Sequence, residues 1–195
     1  MLILESEEMG KALSIKLSPL LRMAVVIAFF FILANAMSQT KVTYGQYMYL
    51  MKSLKPSLKN IGVMASALTP EEIASLGRAA NGLGVKLIAA KVTDVRDISS
   101  LYRRLVDEHK VEILWIPDGE DKLLLGVGFE YLRENTILDR IGLCVPSREL
   151  VSAGALCSFE RLNGKLAVYV NQQVAEVVGI NLPSEKNASI AYIVH

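Results

Sequence analysis

Apolar and polar positions follow two alternating rhythms along this chain. From Lys55 onward, short unbroken apolar runs are separated by stretches with helical spacing. The run Asn60-Ile-Gly-Val-Met-Ala65 predicts a short strand. Thr69-Pro70-Glu71-Glu72 then opens a helix, with Thr69 as N-cap, Pro70 in the first turn and Glu72 completing a capping box. Ile73, Leu76, Ala79 and Ala80 supply its apolar face, and Gly82–Gly84 end it. Val85–Val92 predicts a second strand. A second helix starts at Thr93 or Asp94, with Ile98, Leu101, Leu105 and Val106 at helical spacing. Val111–Ile116 predicts a third strand, halted by Pro117, and a third helix covers Asp121–Asn135. Arg140–Val145 predicts a fourth strand, halted by Pro146, and Ala153–Phe159 a fifth. A last long helix is predicted from Arg161 to Val178, ending at Gly179, and Ala188–Val194 reads as a further strand.

Strands alternating with helices at this spacing predict βαβ units and a mostly parallel five-stranded sheet in a three-layer α/β sandwich. The near-continuous apolar character of the strands fits a sheet covered on both faces. In such folds ligands bind at the carboxyl edge, near the point where the strand order reverses.

The N-terminal pattern differs. Lys11, Lys16 and Arg22 precede the apolar run Met23–Leu33, and Ala34-Asn35-Ala36 follows. A basic region, a short apolar core and an A-x-A site predict a cleaved secretion signal over 1–36. The alternative is an uncleaved anchor helix, reached by counting back to Leu17. The acidic opening Met1–Glu8 is unusual for such a leader, and Met9 is the better initiator. Both readings place the remaining domain outside the cytoplasmic membrane, periplasmic or otherwise exported. Residues 37–59 are a lead-in, in which Tyr44, Tyr47, Met48, Leu50, Met51 and Leu54 predict a helix. That helix is expected to pack on its own sheet; docking to a partner is the other reading. Residues 60–195 form a single α/β lobe.

Composition narrows the function. The 195 residues carry 21 Lys+Arg against 20 Asp+Glu, a formal net charge of +1. No basic cluster suggests a nucleic-acid partner. The cysteines Cys144 and Cys157 sit in apolar runs without a CxxC, and the only histidines are His109 and His195. A zinc site therefore lacks ligands. Buried free thiols are the first reading of the cysteines; a disulfide in an oxidising compartment is the second. Asp118, Glu120 and Asp121 follow no EF-hand pattern. Gly126-Val127-Gly128 lies in a helical stretch and lacks the third glycine of a dinucleotide fingerprint. No G-x-S-x-G elbow or Walker A occurs. These readings predict a binding protein rather than an enzyme, with no metal and no cofactor.

The polar residues at the predicted strand ends are Ser66 and Thr69, Thr93 and Asp94, Asp118 with Glu120 and Asp121, Ser147 with Arg148 and Glu149, and Ser158 with Glu160. Helix-start N–H groups can hold a carboxylate, and acidic side chains can take an amine. That combination suits a zwitterion such as an amino acid. The competing reading makes the same residues ordinary helix caps.

Several segments carry a family resemblance. Leu54-Lys-Pro-Ser-Leu-Lys-Asn-Ile-Gly-Val63 resembles the entry into the second lobe of an ABC-type solute-binding family, some of whose members bind tryptophan or tyrosine. Gly82–Leu87 is similar to the family's turn into its next strand, and Val111–Asp118 to its third strand and loop. Pro146–Ser158 resembles the following loop and strand, and Gly164–Pro183 the closing helix. The resemblance spans Leu50–Pro183. It implies a flavodoxin-like lobe of the periplasmic-binding-protein type. It also implies a ligand set of Ser66 and Thr69 in the first loop, Asp118 in the third-strand loop, and Ser147 and Glu149 in the fourth. Three departures stand out. The family's first lobe is not found between the leader and this lobe. Phe159 occupies the place of an aspartate expected before the last helix. Ala65-Ser66-Ala67 replaces the usual asparagine–proline. The implied role is a module of an ABC-type uptake system, partnered by a permease, by a second copy or by another subunit. The alternative is a non-catalytic envelope scaffold that kept the lobe and lost the ligand.

Overall fold

Apolar runs become strands here because helices cover them on both sides. The computed structural model describes residues 42–117, 119–162, 164–182 and 190–194. Residues 1–36, read above as leader or anchor, lie outside the described residues. Among the described residues no helix is long and apolar enough to cross a membrane.

The lead-in segment forms helix α1, Tyr44–Leu54. Thr43 caps it: its hydroxyl accepts from Gln46 N–H at 3.3 Å, and Gln46 Oε1 accepts from Thr43 N–H at 3.0 Å. Strand β1, Asn60–Ala65, follows, and then α2, Pro70–Asn81, opened by the predicted Thr69–Glu72 box. Next come β2, Lys86–Lys91, a 3₁₀ turn at Val95–Asp97 and α3, Ile98–Asp107. Strand β3 is Ile113–Trp115, and the helical stretch after it divides into α4, Lys122–Leu125, and α5, Val127–Leu138. Strand β4 is Gly142–Val145.

Beyond β4 the structure corrects the sequence reading. Residues Arg148–Ser152 form a short helix, α6, and the fifth strand begins later, as β5, Cys157–Leu162. The long helix expected over Arg161–Val178 does not exist. Lys165–Val170 is strand β6, antiparallel to β5, and only Gln172–Val177 is helical, as α7. The physical reason is local. Leu166, Val168 and Val170 alternate with Lys165, Ala167 and Tyr169, and β-branched and aromatic side chains fit a pleated surface. Gly164 turns the chain at φ 77°, which a glycine adopts without strain. Asn171 caps α7, accepting from Val174 N–H at 3.1 Å. The residue before the last helix is thus Asn171, and Phe159 lies within a strand. Ile190–Val194 is the final strand, β7.

The sheet therefore has seven strands rather than five, in the order β2-β1-β3-β4-β5-β6-β7. Strands β1 to β5 are mutually parallel. β6 runs against β5, and β7 is parallel to β6. The α/β class and its mostly parallel sheet stand as expected, and the strand order 2-1-3-4-5 is that of flavodoxin-like folds. One core packs α1, α2 and α7 on the first face, through Met48, Met51, Leu76 and Val174. The other packs α3, α5 and α6 on the second face, through Tyr102, Leu105, Leu132 and Val151. The three layers follow.

One buried carboxylate ties the carboxyl edge together. Asp121 is 3% exposed. Its Oδ2 accepts from Ser66 N–H at 2.8 Å, just past β1, and its Oδ1 accepts from Leu124 N–H at 3.1 Å, at the start of α4. It thus satisfies two backbone donors that would otherwise lack partners.

Three stability predictions come from this packing. A Cβ on Gly128 would stand 2.6 Å from both Leu123 O and Ile98 Cδ1, whereas one on Gly77 would meet nothing within 4 Å. Gly128→Ala should therefore lower the unfolding free energy by about 1–3 kcal/mol. Gly77→Ala, in a helix interior, should raise it by about 0.5–1 kcal/mol. Urea midpoints compare them, and equal midpoints for Gly128→Ala and wild type would refute the packing. Asp121→Ala removes a cap and strands the Ser66 N–H, for an expected loss of about 2–3 kcal/mol. Thermal unfolding tests it, and an unchanged midpoint would show that the bridge contributes nothing.

Candidate functional site

Parallel strands that end together leave a trough at their carboxyl ends, and here Pro117 and Pro146 stop β3 and β4 at its margin. A cleft of about 790 Å³ opens there. It sits where the strand order reverses between β1 and β3, the position at which ligands bind in open α/β sheets. Ala65 and Ala67 border it at the end of β1, and their small side chains leave room.

Aromatic side chains form its floor. Trp115 ends β3, Phe159 lies on β5, and Tyr44 and Tyr47 come from the first turn of α1. Tyr47 stands with its ring centroid 4.9 Å from that of Trp115 and 5.7 Å from that of Phe159. Trp115 and Phe159 are buried, and burial raises the Tyr47 phenol above its ordinary range.

The rim is charged. Glu72, at the start of α2, is held below the usual carboxylate range by the Thr69 N–H, then by the Thr69 and Tyr44 hydroxyls. Tyr44 donates to Glu72 Oε1 at 3.1 Å; burial first, and Glu72 second, push that phenol up. Glu120 and Glu160 add further carboxylates. Glu160 lies beside the Tyr169 hydroxyl and raises it. Arg161, at the far end of β5, is the cation of the lining. Its Nη1 donates to Gly164 O at 3.0 Å and its Nη2 to Gln46 Oε1 at 3.2 Å. Its Nε is buried with no partner among the described residues. The arrangement can hold an apolar or aromatic body against its floor while placing an ammonium group near Glu72 and a carboxylate near Arg161.

None of the described residues of the ligand set expected from sequence lines this cleft, although Ser66, Thr69 and Ser147 each adjoin a lining residue along the chain. Ser66 is half-buried between two lining alanines, with its backbone N–H on Asp121. Thr69 is exposed, and its hydroxyl accepts from Glu72 N–H at 3.2 Å as a helix cap. Ser147 is half-buried at the start of α6, and its side chain makes no cap bond to the helix. Glu149 is exposed, and its own N–H, then the Ser147 hydroxyl, lower its carboxyl. Asp118 lies outside the described residues. The lining itself comes from their neighbours, and sequence reasoning missed the aromatic floor and Arg161. The signal for Tyr44 and Tyr47 was present in their i, i+3 spacing. Arg161 was hidden by its assignment to a helix. Among the described residues, no group of three or more His, Cys, Asp or Glu could hold a metal ion.

Solved structures share this architecture. An ABC domain from Streptococcus pneumonia in complex with L-Trp matches with a TM-score of 0.61 at 16% identity, over 77% of this chain and 61% of that one. A ligand-free, open substrate-binding protein with adhesive properties from Clostridium difficile matches at 0.62 and 19% identity, over 80% and 61%. A conserved domain protein from Vibrio cholerae matches at 0.60 and 18% identity, over 77% and 60%. The chain thus spans about three-fifths of the length of each. No family profile and no curated protein matches it. At these identities the likeness shows the fold: an α/β lobe like those of substrate-binding proteins.

Proposed function

We propose that this chain is a solute-binding lobe whose carboxyl-edge cleft takes one small organic ligand with an apolar or aromatic body and a charged amine. The observation that carries the reading is the pairing of an aromatic floor, Tyr47, Trp115 and Phe159, with Glu72 and Arg161 on the rim. An amino acid has both halves of that chemistry. One structural relative holds L-Trp, which supports the class. The working context is an ABC-type uptake system outside the cytoplasmic membrane, with 1–36 as leader, 37–59 as lead-in and 60–195 as the lobe. No cofactor or catalysis is part of this reading. On this reading Ser66, Thr69, Asp118, Ser147 and Glu149 are the further residues that a ligand or a second wall would meet. A single lobe covers one side of a ligand, whereas good sites enclose most of it. A second copy, another subunit or a permease surface supplies the missing side.

One observation favours a second reading. Tyr47 already packs over Trp115 and against Phe159, so the protein's own helix fills part of the floor. A scaffold lobe that no longer binds a small ligand would look like this.

Trp115 is the chain's single tryptophan, which makes it a reporter at the site. Titration with L-phenylalanine should change its emission saturably, and calorimetry with L-tryptophan should give a matching stoichiometry. Glu72→Gln keeps the capping box but removes the charge, and should weaken binding about tenfold. Silence of both readouts across aromatic, aliphatic and basic amino acids at millimolar concentration would remove the ligand reading and leave the scaffold.

A further inference from the structure

Cys144 and Cys157 are the chain's only cysteines, and the sheet sets them side by side. β4 and β5 run parallel with Cys144 opposite Cys157. Trp115 stands opposite Cys144 on one side, and Val170 opposite Cys157 on the other. Residues opposite one another in register point to the same face, and all four belong to the core beneath α1 and α7. The two sulfurs are 3.0 Å apart. Neighbouring strands lie about 4.8 Å apart. That spacing falls within the Cα separations, roughly 4.4–6.8 Å, that a disulfide spans. The backbone already holds the pair at bonding range.

We propose that Cys144 and Cys157 are a redox modification site, joined as a disulfide when the chain folds in an oxidising compartment, which locks β4 to β5 beneath the cleft. The bond forms by exchange with an acceptor disulfide, either oxidised glutathione or the active disulfide of a thiol oxidase. One cysteine thiolate attacks the acceptor's S–S bond and expels one acceptor thiolate, giving a mixed disulfide. The other cysteine thiolate attacks the cysteine sulfur of that bond and expels the second acceptor thiolate. The chain loses two protons and two electrons, and the acceptor is reduced to two thiols.

Burial sets the timing. In the finished fold both cysteines are 0% exposed, so no acceptor reaches them. Burial, and then the neighbouring Cys144, push the Cys157 thiol well above its ordinary range, so it is no nucleophile once covered. The exchange therefore belongs to folding, before α1 and α7 close over the row. The same cover then shelters the bond from reductants, and the compartment of folding decides which form persists.

The test uses the full chain, unfolded in denaturant with reductant and refolded in buffer rich in oxidised glutathione. Samples are denatured again with N-ethylmaleimide and weighed. The expected result is a folded chain that takes up no maleimide, where reduced chain takes up two, with a peptide map joining Cys144 to Cys157. Emission from Trp115, beside Cys144 in register, should be weaker than in chain refolded with reductant, because a disulfide quenches a neighbouring indole. The urea midpoint of the crosslinked form should be higher. Cys144→Ala and Cys157→Ala should each show no redox dependence of emission. Folded chain that takes up two maleimides, or retains glutathione, overturns the proposal. So does a crosslinked chain that fails to regain the fold, since the bond would then be incompatible with this register.

Discussion

Burial of both faces of the parallel strands is the constraint on which the rest of the molecule depends. Strands β1, β3 and β4 are short, and their side chains are almost all buried. Such strands expose neither face to water, so helices must lie on both sides. Covering both faces leaves only the strand ends accessible. The amino ends are closed by the tight returns from the helices, such as Val85 N–H to Ala80 O at 3.0 Å and Ile141 N–H to Thr136 O at 2.8 Å. The carboxyl ends open into loops, and the cleft is what remains between them.

The glycines obey the same constraint. Gly62 in β1 is surrounded by Leu105, Leu114 and Val111, each 3.3 Å from where a Cβ would stand. Gly128 lets α5 approach Ile98 of α3 and the carbonyl of Leu123. The pair Gly126 and Gly128, which resembles part of a nucleotide fingerprint in the sequence, is thus explained by close packing between a short helix and its successor. No phosphate is needed to account for it.

Much of the fold was legible in the sequence because local and tertiary signals agreed. The Thr69-Pro70-Glu71-Glu72 start, the apolar runs and the strand-stopping prolines each have one physical outcome, and the structure shows it. The failure at Arg161–Val178 is instructive. Asn163-Gly164 between two alternating runs is a strong hairpin signal. The regular βα rhythm of the preceding chain masks it, since that rhythm makes another helix the expected continuation. The misreading also hid the site. A helix over Arg161 keeps that residue from a strand's carboxyl end, which hides it from the rim and makes Phe159 look like a replaced aspartate. The aromatic floor was harder to read, since it joins residues of α1, β3 and β5 that meet only through the sheet order.

The lead-in helix couples the two halves of the site. The first turn of α1 is tied to one wall by Tyr44 and Glu72 at 3.1 Å, and to the other by Gln46 and Arg161 at 3.2 Å. These are the groups that an ammonium and a carboxylate would seek. A ligand of that kind must therefore compete with α1 for Glu72 and Arg161. Both bonds already involve a charged group, the Glu72 carboxylate or the Arg161 guanidinium, so each belongs to the class worth roughly 1.5–3 kcal/mol, as would its bond to a ligand. The exchange of hydrogen bonds is then close to balanced, and any preference for a ligand has to come from its apolar body and its charge pairing with Glu72 and Arg161. The Tyr47 ring is carried by the same turn, so a displacement of that turn would uncover the aromatic floor and free the charged rim together. A lobe without such a helix would present the floor to water, and exposed apolar surface invites association. The helix that obstructs the cleft is on this argument also what covers the aromatic floor when no ligand or second wall does.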